Sequence, residues 1–454
     1  MRIIIVGAGR IGMNLAKTLT KENNEVYMIE SDPDTALNAD EKLDVKVITG
    51  NGANPKTLKI AQAHRADLVI AVTMSDETNL VVSSLASYYG AKRCIARVRN
   101  TNLSQEIDKS GYHHFHIDEI INPEEVAGEA IVKTIEAPGA CEVADFADGR
   151  ILLRSFDISL ESSLCGTKIS DFGDDDFPWP FLIVAIRRQG EVIIPKGETH
   201  VERDDRIYVL LPTPSLGEFI TFVDPESRKP NKIIIYGATK TGEHVAQALF
   251  QDVKDIILIE ESPHLAALIA SQIPGVRIIN GSASEKDILK ECGIEAADIF
   301  IAATDNDHSN LISAVLAKRM GAKKTIITTQ QPDYTSIVGA LEIDAIVSPH
   351  LLAVEQILRY VRGKGISAIT KFLDCDAEAV EFICEAGAPI TKKALKDLTF
   401  PQNSIVGAVD KGSEVVLAKG DTQINAGERV IVFCQESAVK KLQSLFTHKK
   451  MFKK

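Results

Sequence analysis

MRIIIVGAGRIGMNLAKTL, residues 1–19, decides the fold. An apolar run, Arg2 to Val6, enters the loop Gly7-Ala8-Gly9-Arg10-Ile11-Gly12, and the chain then takes up an apolar spacing suited to a helix. In that context the three glycines have separate tasks. The first permits the turn, the second lets backbone approach a pyrophosphate, and the third allows close packing of helix on strand. The helix end adds a partial positive charge that favours phosphate. An acid is expected at the end of the next strand, and Glu30 stands 18 residues after Gly12. It is placed to accept hydrogen bonds from an adenosine ribose and to repel a 2′-phosphate, which favours NAD or an adenine nucleotide over NADP. Arg10 is either a charge-assisted donor to phosphate or a solvated surface arginine.

The stretch recurs. NKIIIYGATKTGEHVAQAL, residues 231–249, repeats it at an offset of 230 residues, with Glu260 matching Glu30. DLVIAVTMSDETNL at 67–80 returns as DIFIAATDNDHSNL at 298–311, and YYGAKR at 88–93 as RMGAKK at 319–324. Within the first copy, Arg2–Val6, Val26–Ile29, Val45–Ile48, Leu68–Val72 and Cys94–Val98 are short apolar runs separated by helix-length segments. That alternation predicts a doubly wound α/β fold, a parallel sheet covered on both faces. Proline at 123 opens a predicted closing helix that runs to Ile135.

A shorter segment follows each large copy. RRQGEVIIPKGETHVERDDRIYVL at 187–210 and VDKGSEVVLAKGDTQINAGERVIVF at 409–433 share Lys-Gly-acid-Thr at 196–199 and 419–422, with Arg206 matching Arg429. Their alternation and turn glycines predict small strand-rich domains, and the Pro-rich stretch around Trp179 reads as a loop insertion in the first. The expected order is 1–138 large, 139–225 small, 230–362 large and 363–446 small, ending in a basic tail at 447–454. The boundary VDPESRKPNK, residues 223–232, has a linker's composition.

Composition agrees with several folded units. The chain has 454 residues, 45% of them apolar and 25% charged, which suits soluble globular domains. Its net charge of −12 disfavours docking on nucleic acid. No apolar stretch approaches the roughly 20 residues of a membrane span, and the first residues carry no signal peptide, so a cytosolic location is expected. Seven cysteines with no C-x-x-C pair suit a reducing compartment and give no zinc or disulfide framework.

The second loop, Gly237-Ala238-Thr239-Lys240-Thr241-Gly242, departs at its middle position. A Cβ at Thr239 obstructs a pyrophosphate, while Lys240 and Glu260 stand where Arg10 and Glu30 stood. Two readings stay open there: an adenine nucleotide in a shifted pose, or an empty structural loop.

The tandem order of GAGRIG with Glu30, AVTMSDETNL, RCIARVRN, AVLAKRMGAKK and the two Lys-Gly-acid-Thr segments resembles the TrkA family, from Met1 to about Phe446. That family comprises the cytosolic RCK/KTN nucleotide-binding subunits of bacterial Trk potassium uptake systems. The resemblance implies two Rossmann-like RCK domains, each followed by a TrkA C-terminal domain, in a homotetrameric ring beneath a membrane channel subunit. It implies NAD(H), ADP or ATP as ligands, and a peripheral position on the inner face of the plasma membrane. Gly7, Gly9, Arg10, Ile11, Gly12 and Glu30 would hold pyrophosphate and ribose. Asn51, in Gly50-Asn51-Gly52-Ala53, stands where the family commonly has aspartate and would meet adenine with an amide. Thr73, Asp76 and Asn79 follow the fourth strand, at the carboxyl edge where open α/β sheets bind ligands, and Arg97 lies on the fifth. Asp76 and Asn79 serve equally well as helix caps, and Arg97 as an interdomain salt bridge. Gly237, Thr239, Lys240, Gly242 and Glu260 are the corresponding second set.

The sequence offers no reaction site. An NAD-dependent oxidoreductase needs an acid or base beside the nicotinamide and a domain for its substrate, and only short strand-rich modules follow each large copy. That enzyme is the alternative reading, and an adaptor with vestigial nucleotide folds is a third. Tyr112-His113-His114-Phe115-His116 and Asp174-Asp175-Asp176 have no companions at metal-ligand spacing, so no metal is expected.

Overall fold

The computed structural model describes residues 1–22, 24–100, 103, 115–172, 179–224, 229–331, 334, 341–362, 366–372, 377–401 and 403–447. His113, His114, the Asp174–Asp176 run, Cys375 and the basic tail from 448 lie outside them. The chain divides into two compact units, Met1–Gly128 with Ser348–Val361, and Glu129–Val347 with Arg362–Lys454.

The first unit is built on β1 (Arg2–Val6), β2 (Glu25–Glu30), β3 (Lys46–Thr49), β4 (Leu68–Ala71), β5 (Cys94–Arg97) and β6 (Glu119–Ile121), in the order β3-β2-β1-β4-β5-β6. All its pairings are parallel. Both faces are covered, so the strands read as unbroken apolar runs. Ile3, Ile5, Met28, Ile70 and Ile95 pack on one face with Ile11, Leu15 and Leu19 of helix Arg10–Lys21. Ile4, Val6, Ile29, Val69 and Ala71 pack on the other with Leu58 and Val82. The strand Glu119–Ile121 is an addition to the sequence reading.

The helix that finishes the first core comes from far along the chain. Ala353, Val354, Ile357, Leu358 and Val361 of helix Pro349–Arg362 join Ile3, Leu15 and Ile121. Arg93 fixes its end, donating from Nη1 to the Tyr360 carbonyl at 2.9 Å. Helix Pro123–Glu136, predicted from the sequence, starts in the first unit and ends in the second.

In the second unit, β7 (Ala140–Phe146), β8 (Ile151–Asp157), β9 (Leu182–Arg188), β10 (Glu191–Ile193) and β11 (Arg206–Pro212) form an antiparallel sheet ordered β10-β9-β11-β8-β7. The third sheet repeats the first: β12 (Lys232–Tyr236), β13 (Asp255–Glu260), β14 (Arg277–Asn280), β15 (Ile299–Ala302), β16 (Lys324–Thr328) and β17 (Ala345–Val347) lie in the order β14-β13-β12-β15-β16-β17, all parallel. The fourth repeats the second: β18 (Ile366–Lys371), β19 (Glu378–Ile383), β20 (Ser404–Asp410), β21 (Val415–Leu417) and β22 (Arg429–Cys434) run β18-β19-β22-β20-β21. The Lys-Gly-acid-Thr segments are matching turns, each closed by a threonine hydroxyl that accepts from the lysine N–H, at 2.9 Å from Lys196 and 2.8 Å from Lys419.

The two antiparallel sheets bury a face against each other. Phe146, Leu153, Tyr208 and Leu210 meet Phe372, Ala379, Ala408 and Phe433, and Tyr208 and Phe372 cross edge to face at 4.9 Å. Arg150 pairs with Asp410 across this seam. Trp179 packs with Phe181, Phe219 and Phe222 and so joins the core of the first small sheet, while residues 173–178 before it lie outside the described ones.

Candidate functional site

The loops after β1, β2, β3, β4 and β5 gather at the carboxyl edge of the first sheet. Gly7 turns the chain there with φ at +107°, and a Cβ on it would sit 3.0 Å from the Val72 carbonyl oxygen. Gly12 lies against Gly7 itself: a Cβ would fall 1.9 Å from the Gly7 oxygen. Gly9 is different. Its φ is −70°, and a Cβ there would meet no protein atom within 4 Å. The second glycine thus faces open space at the start of helix Arg10–Lys21, and no side chain caps that helix. Backbone donors at such an end attract an anion.

Glu30 closes the loop from the neighbouring strand. Its Oε2 accepts from the Ala8 N–H at 2.6 Å, and its Oε1 from the N–H groups of Ser31 at 2.6 Å and Asp32 at 3.0 Å. The carboxylate therefore shapes the glycine loop, a role that sequence reasoning missed. Oε1 also accepts from the Ser31 hydroxyl at 3.1 Å, whereas Oε2 accepts only from Ala8 and so keeps one acceptor direction open. Asn51 is exposed after β3, and its Oδ1 accepts from the Ala53 N–H at 2.8 Å. That bond engages the amide oxygen and not the amide nitrogen.

Beyond β4 the expected residues play unequal parts. Ser75 caps helix Asp76–Tyr88 by accepting from the Thr78 N–H, which corrects the reading of Asp76 or Asn79 as caps. Asp76 instead accepts from the Arg99 and Asn100 N–H groups, at 3.0 and 2.9 Å. Asn79 is fully buried. It accepts from Thr73 N and Oγ1, at 2.9 and 2.7 Å, and donates to the Thr73 and Arg97 carbonyls. It thus positions Thr73. Arg97 is 4% exposed and pairs at 3.4 Å with Glu124, which also holds Arg99 at 2.8 Å. Burial pulls the Arg97 guanidinium below the usual arginine range, and Glu124 pushes back. The pair lies inside the first unit, so it is no interdomain bridge. Thr304, Asp307 and Asn310 repeat these bonds, with Asn310 holding Thr304 and Thr328.

The second glycine loop has the same backbone and a different end. Gly237 has φ at +109°, a Cβ on Gly242 would lie 2.1 Å from the Gly237 oxygen, and Glu260 accepts from the Ala238 N–H at 2.8 Å. Thr239, however, accepts from the Gly242 N–H at 3.3 Å and donates to the Ala303 carbonyl at 2.6 Å. It caps the helix where Gly9 leaves the end open. Lys240 is paired with Glu243 at 2.6 Å. Tyr236, in the place of Val6, donates to Glu261 and lies 3.2 Å from Ser282. Burial, with Glu261 nearby, pushes its phenol up to about 12.

Thr239→Gly is accordingly expected to uncap the second helix at a stability cost of a few tenths of a kcal/mol. If the first loop takes an adenine nucleotide, calorimetry of this variant should record a second, weaker equivalent of ADP per chain beside one in the parent. An unchanged stoichiometry would discard the idea that this cap closes the loop.

Family models for the TrkA-N domain match residues 3–123 and 233–349, and those for the TrkA-C domain match 153–223 and 379–447. The Trk system potassium uptake protein TrkA of Haemophilus influenzae is 30% identical over 452 residues, 98% of each chain. A TrkA homolog of Methanosarcina mazei is 31% identical over 454 residues, 98% of this chain and 100% of its own. Among solved structures, the GsuK RCK domain superposes with a TM-score of 0.63 at 17% identity, over 98% of this chain and 94% of its own. The GsuK channel bound to NAD gives 0.64 at 17% identity, over 98% of this chain and 78% of that one. GsuK bound to ADP gives 0.51 at 14%, over 79% and 69%. At such identities these likenesses concern the fold.

Proposed function

The chain belongs to the TrkA family of Trk-system potassium uptake proteins, and from that premise we propose that it is a nucleotide-sensing regulatory subunit that gates a membrane potassium channel. The observation that carries this reading is the uncapped helix end at Gly9 beside Glu30, at the carboxyl edge of the first parallel sheet. NAD(H), ADP or ATP would lay phosphates over Gly9 and Arg10, a ribose against Glu30 and a base beside Asn51. The second cleft, filled by its own threonine cap and tyrosine network, serves as structure. Domain limits at 138, 225 and 362 follow the repeat.

Gating needs a ligand that distinguishes two conformations, because equal affinity for both shifts nothing. A tenfold preference supplies about 1.4 kcal/mol per site, so a homotetrameric ring with coupled sites gives a sharper response than one chain. The ring would act from the cytoplasmic face, a placement supported by membership of the TrkA family; no helix among the described residues is long and apolar enough to cross a membrane. A binding role without turnover suits a cleft whose acid is committed to shaping the loop.

Calorimetric titration of the purified chain with NADH, NAD, ADP and ATP tests the first step. Saturable binding, weakened about tenfold or more by Glu30→Gln, is expected. Potassium flux through proteoliposomes carrying the membrane subunit should then depend on the nucleotide that binds. A chain that remains folded yet binds none of the four at millimolar concentration would end the sensor reading.

A further inference from the structure

The amino edge of the second parallel sheet holds a hollow that the nucleotide reading does not use. We propose that it binds a small phosphorylated anion. The hollow has a volume of about 470 Å³ and lies between the end of helix Pro123–Glu136, the chain leading into β12, and the starts of β15 and β16. Lys229, Lys323 and Lys324 line it, together with Asp298 and the apolar walls Ile135 and Pro138. Its size is that of a site for a small organic ligand.

The same corner is built twice, which identifies what is particular to the second. In the first copy Asp67 accepts from the Arg2 N–H at 2.8 Å and from Lys92 at 2.7 Å, and Arg93 reaches the Tyr360 carbonyl. In the second, Asp298 accepts from the N–H groups of Asn231 and Lys232, at 2.7 and 3.1 Å, and from Lys323 at 2.8 Å. Lys324, in the place of Arg93, donates to the Ala140 carbonyl at 3.1 Å. A guanidinium has thus become an ammonium, and the segment Lys229–Asn231 has brought a further lysine to the wall.

Charge decides the class of ligand. The one lining carboxylate is occupied by Lys323 and two backbone donors. The three lysines therefore leave an excess of positive charge, in a chain whose net charge is −12. The Lys324 side chain makes one hydrogen bond, to a main-chain carbonyl, and pairs with no carboxylate within 4 Å among the described residues. An ammonium has three donors, and Lys324 is half-buried with only one of them used inside the chain. Burial pulls Lys324 below the usual lysine range, against the push of Cys141 and Asp344. Three lysines lining one space suit phosphoryl oxygens, while Ile135 and Pro138 give an organic portion an apolar wall. An anion there would tie the end of helix Pro123–Glu136 to the second sheet.

The test titrates inorganic pyrophosphate into the full chain by calorimetry, beside Gly9→Thr, Lys229→Ala and Lys324→Gln. Saturable binding below about 1 mM is expected, retained in Gly9→Thr, weakened about tenfold in Lys324→Gln and about threefold in Lys229→Ala, and reduced by added salt. In the parent chain, pyrophosphate should also protect Lys324 and Lys229 from reductive methylation, read by mass spectrometry. If Lys324→Gln fails to fold, that protection and Lys229→Ala still decide. No saturable heat up to about 10 mM overturns the proposal, as does binding that ignores both lysines or disappears only with Gly9→Thr.

Discussion

Gly12→Ala is expected to destabilise the first unit by about 3 kcal/mol or more, and to lower its thermal transition by roughly 6–12 °C. The added Cβ would lie 1.9 Å from the Gly7 oxygen, well inside van der Waals contact. Both atoms belong to backbone, so no rotamer change relieves the clash. Either the helix Arg10–Lys21 slides off β1 or the Gly7 turn opens, and each disturbs a core formed by Ile3, Ile5, Ile11 and Leu15. Alanine gains about 1 kcal/mol over glycine inside a helix, too little to offset the clash. Gly242→Ala should act alike in the second unit, where the Cβ would lie 2.1 Å from the Gly237 oxygen. Thermal unfolding followed by circular dichroism measures both. Melting at the parent temperature would mean that the third glycine is no packing residue.

The same geometry explains what could be read in the sequence. β1, β2, β4 and β5 were legible because a sheet covered on both faces demands unbroken apolar runs. The glycine loop was legible because only glycine fits at positions 7 and 12. The exchange of helix Pro349–Arg362 into the first core was not. An apolar face at helical spacing records that a helix is buried and does not record against which sheet, and the two sheets are near copies. The strand Glu119–Ile121 is three residues long, too short for a periodic signal.

At the site, Glu30 was placed correctly on β2, while its hold on the Ala8 N–H depends on a fold that brings β2 beside the loop. One signal was present and unused. Thr73 and Asn79 recur at the same spacing as Thr304 and Asn310. Recurrence in a copy whose glycine loop has changed argues for a scaffold, and both asparagines are indeed buried ties between a loop and the next strand. The Tyr236–Glu261–Ser282 network joins residues far apart in sequence and was visible only once β12, β13 and β14 were paired.

Gly9→Thr should separate binding from folding. Its φ of −70° suits any L-residue, and a Cβ there meets no protein atom within 4 Å, so the substitution needs no rearrangement. The chain itself supplies the precedent, for Thr239 occupies the matching position at φ −75° and caps its helix. Threonine and glycine are comparable N-caps, so stability should move by a few tenths of a kcal/mol at most. Binding should suffer far more. The γ-carbon and hydroxyl enter the space a pyrophosphate needs, and a hydroxyl turned inward takes up a helix-end donor that would otherwise serve phosphate. A loss of at least about 100-fold in affinity for NADH and ADP is expected, equivalent to about 2.7 kcal/mol, with the melting temperature unchanged. Calorimetry and thermal unfolding on one preparation give both numbers. Retained nucleotide affinity would place the ligand away from Gly9 and sink the proposed site, whereas affinity and stability lost together would make the second glycine a folding residue. Only loss of binding in a fully stable chain fits a loop left open for phosphate.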